Sequence, residues 1–222
     1  SDLTFLMKKL YSACYGDSGH PFNVFTRDVQ TVVDPADLIE QDSALIIWGG
    51  SDISPSLYNH LESKTTYPHP TRDATEWALA KRAASLGIPI FGVCRGAQML
   101  CALAGGYLIQ DVSNHSGSHT VDTYNGRSFV VNSIHHQMMF VPEEVDHEVL
   151  AWTSIKRSKR YKYMNDLDHP PPEKELEFVY FPKIKGYAVQ WHPEGMAASS
   201  EATQFILGEI YARINTASST SV

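Results

Sequence analysis

Residues 88–98 read IPIFGVCRGAQ, and this stretch carries the clearest structural signal in the chain. Its first six residues are apolar or small and rich in β-branched side chains, as in a buried strand. The strand runs directly into a Gly-x-Cys-x-Gly motif centred on Cys94. Beyond the motif, apolar residues continue to the pair Gly105-Gly106, which predicts a buried helix. The sequence therefore predicts a strand, a sharp turn and a helix in immediate succession.

The same alternation of strands and helices extends along the rest of the chain. Residues 44–48 form a second apolar strand that ends at Gly49-Gly50, and residues 73–86 have the pattern of a helix. Asp73 and Glu76 have the spacing of a capping pair at its start. This order is typical of an α/β fold with a mostly parallel central sheet flanked by helices. Further strands are predicted over 128–133, 176–181 and 187–191, and a closing helix over 201–212.

A chain of 222 residues is long enough for one sizeable core, and we expect a single domain over residues 1–222. We find no internal repeat and no long linker that would divide it. The basic run and the proline triplet within residues 156–177 predict a surface excursion between strands. Small polar residues over 215–222 predict a disordered tail. Residues 3–15 fit either a strand or a helix, so the sequence does not decide whether this segment forms the first strand of the sheet.

The composition argues against several classes of protein. The chain is 43% hydrophobic and 19% charged with a net charge of −7, which argues against a basic surface for nucleic acid or for an anionic membrane. Its three cysteines, Cys14, Cys94 and Cys101, fit neither a disulfide framework nor paired zinc-binding spacing. Because no apolar run is long enough for a membrane span and no signal segment is recognisable, we expect a cytoplasmic protein.

Cys94 has the setting of a catalytic nucleophile. A Gly-x-nucleophile-x-Gly motif between a strand and a helix is the pattern of a nucleophile elbow, in which a sharp turn projects the central side chain at the end of the sheet. The positive end of the following helix favours a thiolate, the form of cysteine that attacks a carbonyl carbon. An isolated cysteine is more often a small buried hydrophobe, and we interpret Cys14 and Cys101 in that way. Glycines on both sides of Cys94 favour the catalytic interpretation there.

A thiol nucleophile needs a base, and His192 is followed two residues later by Glu194. In an extended chain these two side chains point the same way, so the carboxylate could orient the imidazole toward the thiol. The backbone N–H groups of Arg95, after the nucleophile, and of Gly50, in the neighbouring strand-end turn, are the predicted oxyanion-hole donors. The alternatives are a solvated strand end for the His-Pro-Glu sequence and a plain turn for Gly49-Gly50.

These motifs resemble those of the class I glutamine amidotransferase-like hydrolases, in particular the branch that contains γ-glutamyl hydrolases and γ-glutamyl-aminobutyrate hydrolase. Residues 92–98 (GVCRGAQ) are similar to the nucleophile motif of the family, and residues 190–194 (QWHPE) to its His-Pro-Glu motif, in the expected order. Residues 49–55, 72–76 and 131–137 resemble the γ-glutamyl hydrolase branch.

The resemblance implies a flavodoxin-like fold and a catalytic triad of Cys94, His192 and Glu194 that hydrolyses a γ-glutamyl amide through a γ-glutamyl thioester. It also implies substrate-binding roles for Gln98, which matches a glutamine that contacts the glutamyl head, and for His135. The substrate is then a small γ-glutamyl compound. It is either a γ-glutamyl amine or peptide cleaved by a free-standing enzyme, or glutamine whose ammonia passes to a separate synthetase. A binding or regulatory module with a relic triad is a third hypothesis.

We expect neither a metal nor a cofactor. His115, His119, His135 and His136 are close in sequence, but no His-Glu-x-x-His motif and no nearby run of carboxylates completes a metal site. The sequence contains neither a P-loop nor a dinucleotide-binding glycine motif. If ammonia is transferred, another protein must therefore activate the acceptor with ATP.

Overall fold

The computed structural model describes residues 6–15, 18–39 and 41–219, with side chains described as far as residue 215. The helices are α1 (Pro70–Leu86), α2 (Arg95–Ala104) and α3 (Glu201–Ser219). The strands are β1 (Lys9–Ala13), β2 (Val29–Val32), β3 (Ser43–Ile47), β4 (Ile90–Val93), β5 (Tyr107–Ile109), β6 (Asp111–Val112), β7 (His119–Thr123), β8 (Ser128–Val131), β9 (Met138–Phe140), β10 (Glu148–Thr153), β11 (Tyr161–Lys162), β12 (Leu176–Phe181) and β13 (Gly186–Val189).

The centre of the fold is a nine-stranded sheet in the order β2-β1-β3-β4-β13-β12-β10-β7-β8. The strands from β2 to β13 are parallel to one another and form what we call the parallel half. The strands β12, β10, β7 and β8 continue the sheet as an antiparallel half. The predicted α/β class with a large central sheet is confirmed. The sheet is mixed because the second half is built from antiparallel neighbours.

Helices cover both faces of the parallel half. Successive side chains of a strand point to opposite faces of the sheet, and β3 illustrates the result. Leu45 and Ile47 pack in one apolar cluster with residues of α1 and α2, whereas Ala44 and Ile46 pack in another with residues of α3. All four side chains are fully buried. Burial of this apolar surface is the main favourable contribution to folding, at about 25 cal/mol per Å², and the predicted flanking helices are confirmed.

The amino-terminal segment is a strand, one of the two alternatives that the sequence left open. Strand β1 pairs in parallel with β2 on one side and with β3 on the other, so it lies inside the sheet. Leu10 and Tyr11 are buried on its opposite faces. Residues 3–5 of the predicted segment lie outside the described residues.

Helix α1 begins at Pro70, and the predicted capping pair at its start is wrong. His69 precedes the helix, and its Nδ1 accepts a hydrogen bond from the Arg72 N–H at 3.2 Å. Asp73 and Glu76 are buried and bind arginine side chains instead. A buried carboxylate needs a cation more than a helix end needs a cap, because an unpaired buried charge is far more costly.

Helix α3 continues beyond the predicted range. Residues 215–219 are helical rather than a disordered tail, and residues 220–222 lie outside the described residues. The helix is anchored by Phe205 and Ile206, which are buried against the sheet, and residues 209–219 contain no proline or glycine that would interrupt it. None of the described helices is long and apolar enough to span a membrane.

The segment 156–177 is held more tightly than a solvated excursion. It contains the short strand β11, which pairs with β6. Glu175 is buried, and its carboxylate accepts hydrogen bonds from the backbone N–H groups of Arg157 at 2.8 Å and of Ser158 at 2.9 Å. The Tyr161 hydroxyl donates to the same carboxylate at 2.8 Å. The predicted surface excursion is therefore corrected to a loop tied to the protein interior by one carboxylate.

Candidate active site

Cys94 lies at the turn between β4 and α2 in a backbone conformation that few residues adopt. Its φ of 50° and ψ of −104° lie outside the common regions for L-residues, which is the strained geometry of a nucleophile elbow. The flanking glycines are required by close contacts. A Cβ on Gly92 would lie 2.6 Å from the Gly96 backbone, and a Cβ on Gly96 would lie 2.0 Å from the Ile47 carbonyl oxygen. Both positions therefore exclude any side chain.

The thiol of Cys94 is almost completely buried, and polar groups from two other parts of the chain lie near it. Only 5% of the residue is exposed. Its Sγ lies 4.0 Å from the Ile134 carbonyl oxygen and 3.7 Å from Nε2 of Gln190. The Cys94 N–H donates to the Val189 carbonyl of β13 at 2.7 Å, which brings the chain leading to His192 alongside the turn.

His192 and Glu194 meet next to this thiol. Nδ1 of His192 donates to Oε1 of Glu194 at 2.7 Å, and the thiol is the largest influence on the imidazole, followed by Glu194. The Cys94 side chain and, after it, the Glu194 carboxylate raise the pKa of His192 to about 10 against the opposing effect of burial. The prediction that the two side chains align along an extended strand is wrong. Strand β13 ends at Val189, and Pro193–Gly195 forms a 3-10 turn that folds Glu194 back toward the ring.

Asn132 holds the His192 backbone from the antiparallel half of the sheet. Its Oδ1 accepts from the His192 N–H at 3.0 Å, and its Nδ2 donates to the His192 carbonyl at 2.8 Å. Both hydrogen-bonding groups of one residue are thereby fixed by one side chain. The sequence placed Asn132 in a family-like motif but gave no indication of this contact, because 60 positions separate the two residues.

The Gly49-Gly50 turn borders the same site. A Cβ on Gly49 would lie 2.9 Å from Cε1 of His192 and 3.6 Å from Cβ of Cys94, so the turn packs directly against both. Gly50 has a φ of 147°, and a Cβ there would lie 2.1 Å from Nη1 of Arg72. Only glycine fits this position. The Arg95 N–H is one of the first N–H groups of α2, which lack partners within the helix and so can bind an anion.

A buried ionic network fixes the turn relative to α2. We call its members Arg72, Asp73, Glu76 and Arg95 the arginine cluster. Arg72 Nη2 donates to the carbonyls of Trp48 at 3.1 Å and Gly49 at 2.9 Å, and its Nε donates to Glu76 at 2.8 Å. The Arg95 guanidinium binds the carboxylates of Glu76 and Asp73. One network thus ties the Gly49-Gly50 turn to the residue that follows Cys94.

The two predicted substrate-binding residues contact the same backbone group. Nε2 of Gln98 donates to the Gln137 carbonyl at 3.2 Å, and Nδ1 of His135 donates to it at 2.8 Å. Both side chains are buried. The ring of His135 also faces Glu177 in the antiparallel half, so this histidine belongs to a second polar cluster as well as to the segment that borders the thiol.

The profile of a protein family described as Peptidase C26 matches residues 3–156, more than half of the sequence. The chain belongs to the peptidase C26 family. The matched residues include Cys94 and end before His192. The resemblance to class I glutamine amidotransferase-like hydrolases is confirmed by this match and by the relatives that follow.

Two named proteins are similar to the chain. Protein NtpR of Enterococcus hirae is 29% identical in an alignment of 183 residues that covers 75% of this chain and 72% of NtpR. The gamma-glutamyl-CDP-amidate hydrolase of Campylobacter jejuni is 30% identical in an alignment of 126 residues that covers 55% of this chain and 57% of that protein. The chain thus aligns with little more than half the length of the named hydrolase.

Solved structures agree on the fold. The crystal structure of a glutamine amidotransferase from Thermotoga maritima superimposes with a TM-score of 0.58 at 14% sequence identity. The alignment covers 93% of this chain and 83% of that one. At this identity the likeness concerns the fold alone.

Proposed function

We propose that this peptidase C26 protein hydrolyses a γ-glutamyl amide bond, with Cys94 as the nucleophile, His192 as the acid and base, and Glu194 as the residue that orients the imidazole. The observation that carries the proposal is the position of the Cys94 thiol, on a strained turn beside an imidazole whose other nitrogen binds a carboxylate. This is the arrangement of an activated nucleophile.

In the first step the Cys94 thiolate attacks the γ-carbonyl carbon of the substrate. The N–H groups of Gly50 and Arg95 stabilise the negative oxygen of the tetrahedral intermediate. Protonated His192 gives its proton to the leaving nitrogen, so the C–N bond breaks and an amine or ammonia departs. In the second step neutral His192 takes a proton from water, the hydroxide attacks the γ-glutamyl thioester, and glutamate leaves as the thiolate is restored.

We assign selection of the substrate to the segment beside the thiol that contains Ile134 and His135. We propose that Gln98 and His135 shape the pocket for the glutamyl head, since both hold the Gln137 carbonyl and His135 follows Ile134, whose carbonyl borders Sγ. The name of the Campylobacter jejuni relative describes hydrolysis of a γ-glutamyl amidate. This favours a γ-glutamyl amine or related amide over glutamine, and a free-standing hydrolase over an ammonia-producing subunit of a synthetase.

The experiment compares release of ammonia from glutamine with release of amine from a panel of γ-glutamyl amines and peptides. Cys94→Ala should abolish release, whereas Cys101→Ala, which removes a buried thiol from the same helix, should retain it. We expect amine release to exceed ammonia release. Glutaminase activity that rises only when a partner protein is added would instead indicate an amidotransferase subunit, and a folded protein inactive on every substrate would indicate a binding module.

The thioester itself can be tested by mass spectrometry after rapid acid quenching. A mass increase of one γ-glutamyl group should appear on the peptide that contains Cys94 and should be absent from the Cys94→Ala protein. Turnover without such an adduct in a variant slowed at the second step would contradict the covalent mechanism.

A further inference from the structure

Three histidines and a glutamate converge in the antiparallel half of the sheet. His119 is the first residue of β7, and Glu177 lies on β12. His115 and His135 lie on the loops before β7 and after β8. All four side chains are buried. We call these residues the histidine cluster. None of them takes part in the catalytic steps proposed above, and His135 alone has a proposed role in shaping the pocket.

One carboxylate oxygen lies among the three imidazoles of the histidine cluster. Oε1 of Glu177 is 2.9 Å from Nε2 of His119 and 3.8 Å from Nδ1 of His115. The same oxygen is 3.9 Å from Nε2 of His135. Ligand atoms at about 2.1 Å from a tetrahedral zinc ion lie about 3.4 Å from one another. The observed separations lie on both sides of this value.

Outer groups lie beside the second ring nitrogen of two of the three histidines, His135 and His115. Nδ1 of His135 donates to the Gln137 carbonyl at 2.8 Å, so its Nε2 directs a lone pair at the histidine cluster. Nε2 of His115 faces a carboxylate oxygen of Glu175 at 3.2 Å, which leaves Nδ1 for the interior of the cluster. Histidines that bind metals characteristically use their second nitrogen in this way, toward a carbonyl or a carboxylate.

Several atoms of the histidine cluster are buried without a hydrogen-bond partner among the residues that the structure describes. They include Nδ1 of His115, Nε2 of His135 and Oε2 of Glu177. Imidazole lone pairs and carboxylate oxygens are all acceptors, and burying acceptors against one another is unfavourable. Their convergence therefore calls for a positive charge at the centre, supplied either by a metal ion or by protons on the histidines.

We propose that His115, His119, His135 and Glu177 bind one divalent transition-metal ion of the zinc class, with Glu175 orienting His115. Imidazole nitrogens with one carboxylate oxygen are a donor set that zinc and its first-row neighbours prefer, whereas calcium and magnesium prefer oxygen donors alone. A surface depression is lined by Ser116, His119 and Thr120, so one member of the cluster borders it.

The ion would have a structural role next to the active site. It would join β7 and β12 to the loop that carries His135, and the preceding residue of this loop, Ile134, has its carbonyl 4.0 Å from the Cys94 sulfur. The same loop begins near Asn132, which fixes the His192 backbone. Metal binding would thus order one wall of the site without contacting the substrate.

The test uses the whole chain, stripped with a chelator and titrated with Zn²⁺ or Co²⁺. We expect one equivalent to bind per chain, a rise in the melting temperature, and, with Co²⁺, the visible absorption of a tetrahedral site. The Cys94–His192 pair offers a second place for a metal, so the titration is repeated on Cys94→Ala. The proposal predicts that the equivalent remains in Cys94→Ala and that no band from sulfur ligation appears.

Substitution within the cluster completes the experiment. His119→Ala and Glu177→Gln should each lose the bound equivalent and the rise in melting temperature, whereas His147→Ala, which removes a half-buried histidine outside the cluster, should keep both. Should the cluster variants fail to fold, the titrations of the wild type and of Cys94→Ala still show whether one metal ion binds without Cys94. Folded wild-type protein that binds less than one equivalent, or loses it in Cys94→Ala, overturns the proposal in favour of protonated histidines.

Discussion

The two buried polar clusters of this protein lie in different halves of the sheet and differ in how their charges balance. In the arginine cluster, the guanidinium groups of Arg72 and Arg95 match the carboxylates of Asp73 and Glu76. In the histidine cluster, the carboxylate of Glu177 faces imidazoles that leave buried nitrogens without hydrogen-bond partners among the described residues. In the first cluster two positive and two negative side chains face one another. The second requires protons or a metal ion.

The two clusters represent two kinds of buried polar network that can hold the backbone around a candidate active site. A balanced ion-pair network has a fixed charge at every physiological pH, because arginine does not lose its proton. An imidazole–carboxylate cluster responds to its surroundings through protons or metals. The arginine cluster holds the predicted oxyanion turn, and the histidine cluster holds the loop that borders the thiol.

Removing one cation from the arginine cluster should have the largest effect. In Arg95→Met, Asp73 loses its one arginine partner among the described residues and Glu76 keeps Arg72, so buried carboxylate charge is left uncompensated. We expect a loss of about 3–5 kcal/mol in the free energy of unfolding, measured by urea denaturation. Arg82→Met, on the exposed face of α1, is the control and should change it by less than about 0.5 kcal/mol. Equal losses in the two variants would show that the cluster is not a source of stability.

Zinc should stabilise the protein through the histidine cluster and not through the arginine cluster. At a free concentration 100 times its dissociation constant, a bound ion adds about 2.7 kcal/mol to the free energy of unfolding. The increment should be the same in wild type and in any folded arginine-cluster variant, because the two sites do not share a ligand. His119→Ala should show no increment. An increment that survives in His119→Ala would place the ion elsewhere.

Asn132→Ala tests the link between the two halves of the sheet. The variant loses two hydrogen bonds to the His192 backbone, each worth about 1 kcal/mol, so we expect a loss of about 2 kcal/mol in stability. Displacement of His192 should lower kcat more than it changes KM, because the substrate does not contact Asn132 in the proposed mechanism. Asn125→Ala, in the exposed turn between β7 and β8, is the matched control. A change in KM alone would argue that Asn132 contacts the substrate.

The smallest effect, a change in titration without a change in fold, concerns His192. Its pKa is raised to about 10 chiefly by Cys94, so in Cys94→Ala it should fall toward the ordinary value of about 6.5, as measured by NMR of the imidazole protons. Glu194→Gln should lower it less. Because the folded pKa is raised, the pairing stabilises the wild type fully below about pH 6.5 and loses this contribution as the pH rises through about 10. An unchanged pKa in Cys94→Ala would show that the thiol and the imidazole do not interact.

The parallel half was predictable from local sequence, and the antiparallel half was less so. The strands ending at Gly49 and Cys94 are continuous apolar runs, because both faces of a parallel strand are buried. Strand β7 was not predicted, since its buried and partly exposed residues alternate over only five positions and begin with a histidine. Strand β10 was not predicted either, since polar residues lie at both of its ends. In the structure its pairing with β12 contains register shifts.

The candidate site shows the same division. Cys94 and His192 lie in motifs whose chemistry can be predicted from adjacent residues, and in the structure both residues lie next to Gly49. Residues near His115, His119 and His135 in the sequence do not predict that a carboxylate joins them, yet Glu177 reaches His119 across 58 positions. Asp73 and Glu76 fit a local capping pattern, but a long-range contact with Arg95 determines their role. Sequence patterns capture contacts within an element and miss pairings that depend on strand order.

The backbone angles at Cys94 also constrain how this site can evolve. At a φ of 50° a β-branched side chain is severely crowded, so threonine is closed to this position even though it serves as a nucleophile in other hydrolases. Serine has the same shape as cysteine and can be reached by a single base change. Of the two hydroxyl side chains closest in size to cysteine, serine is therefore the one that this backbone conformation can accept.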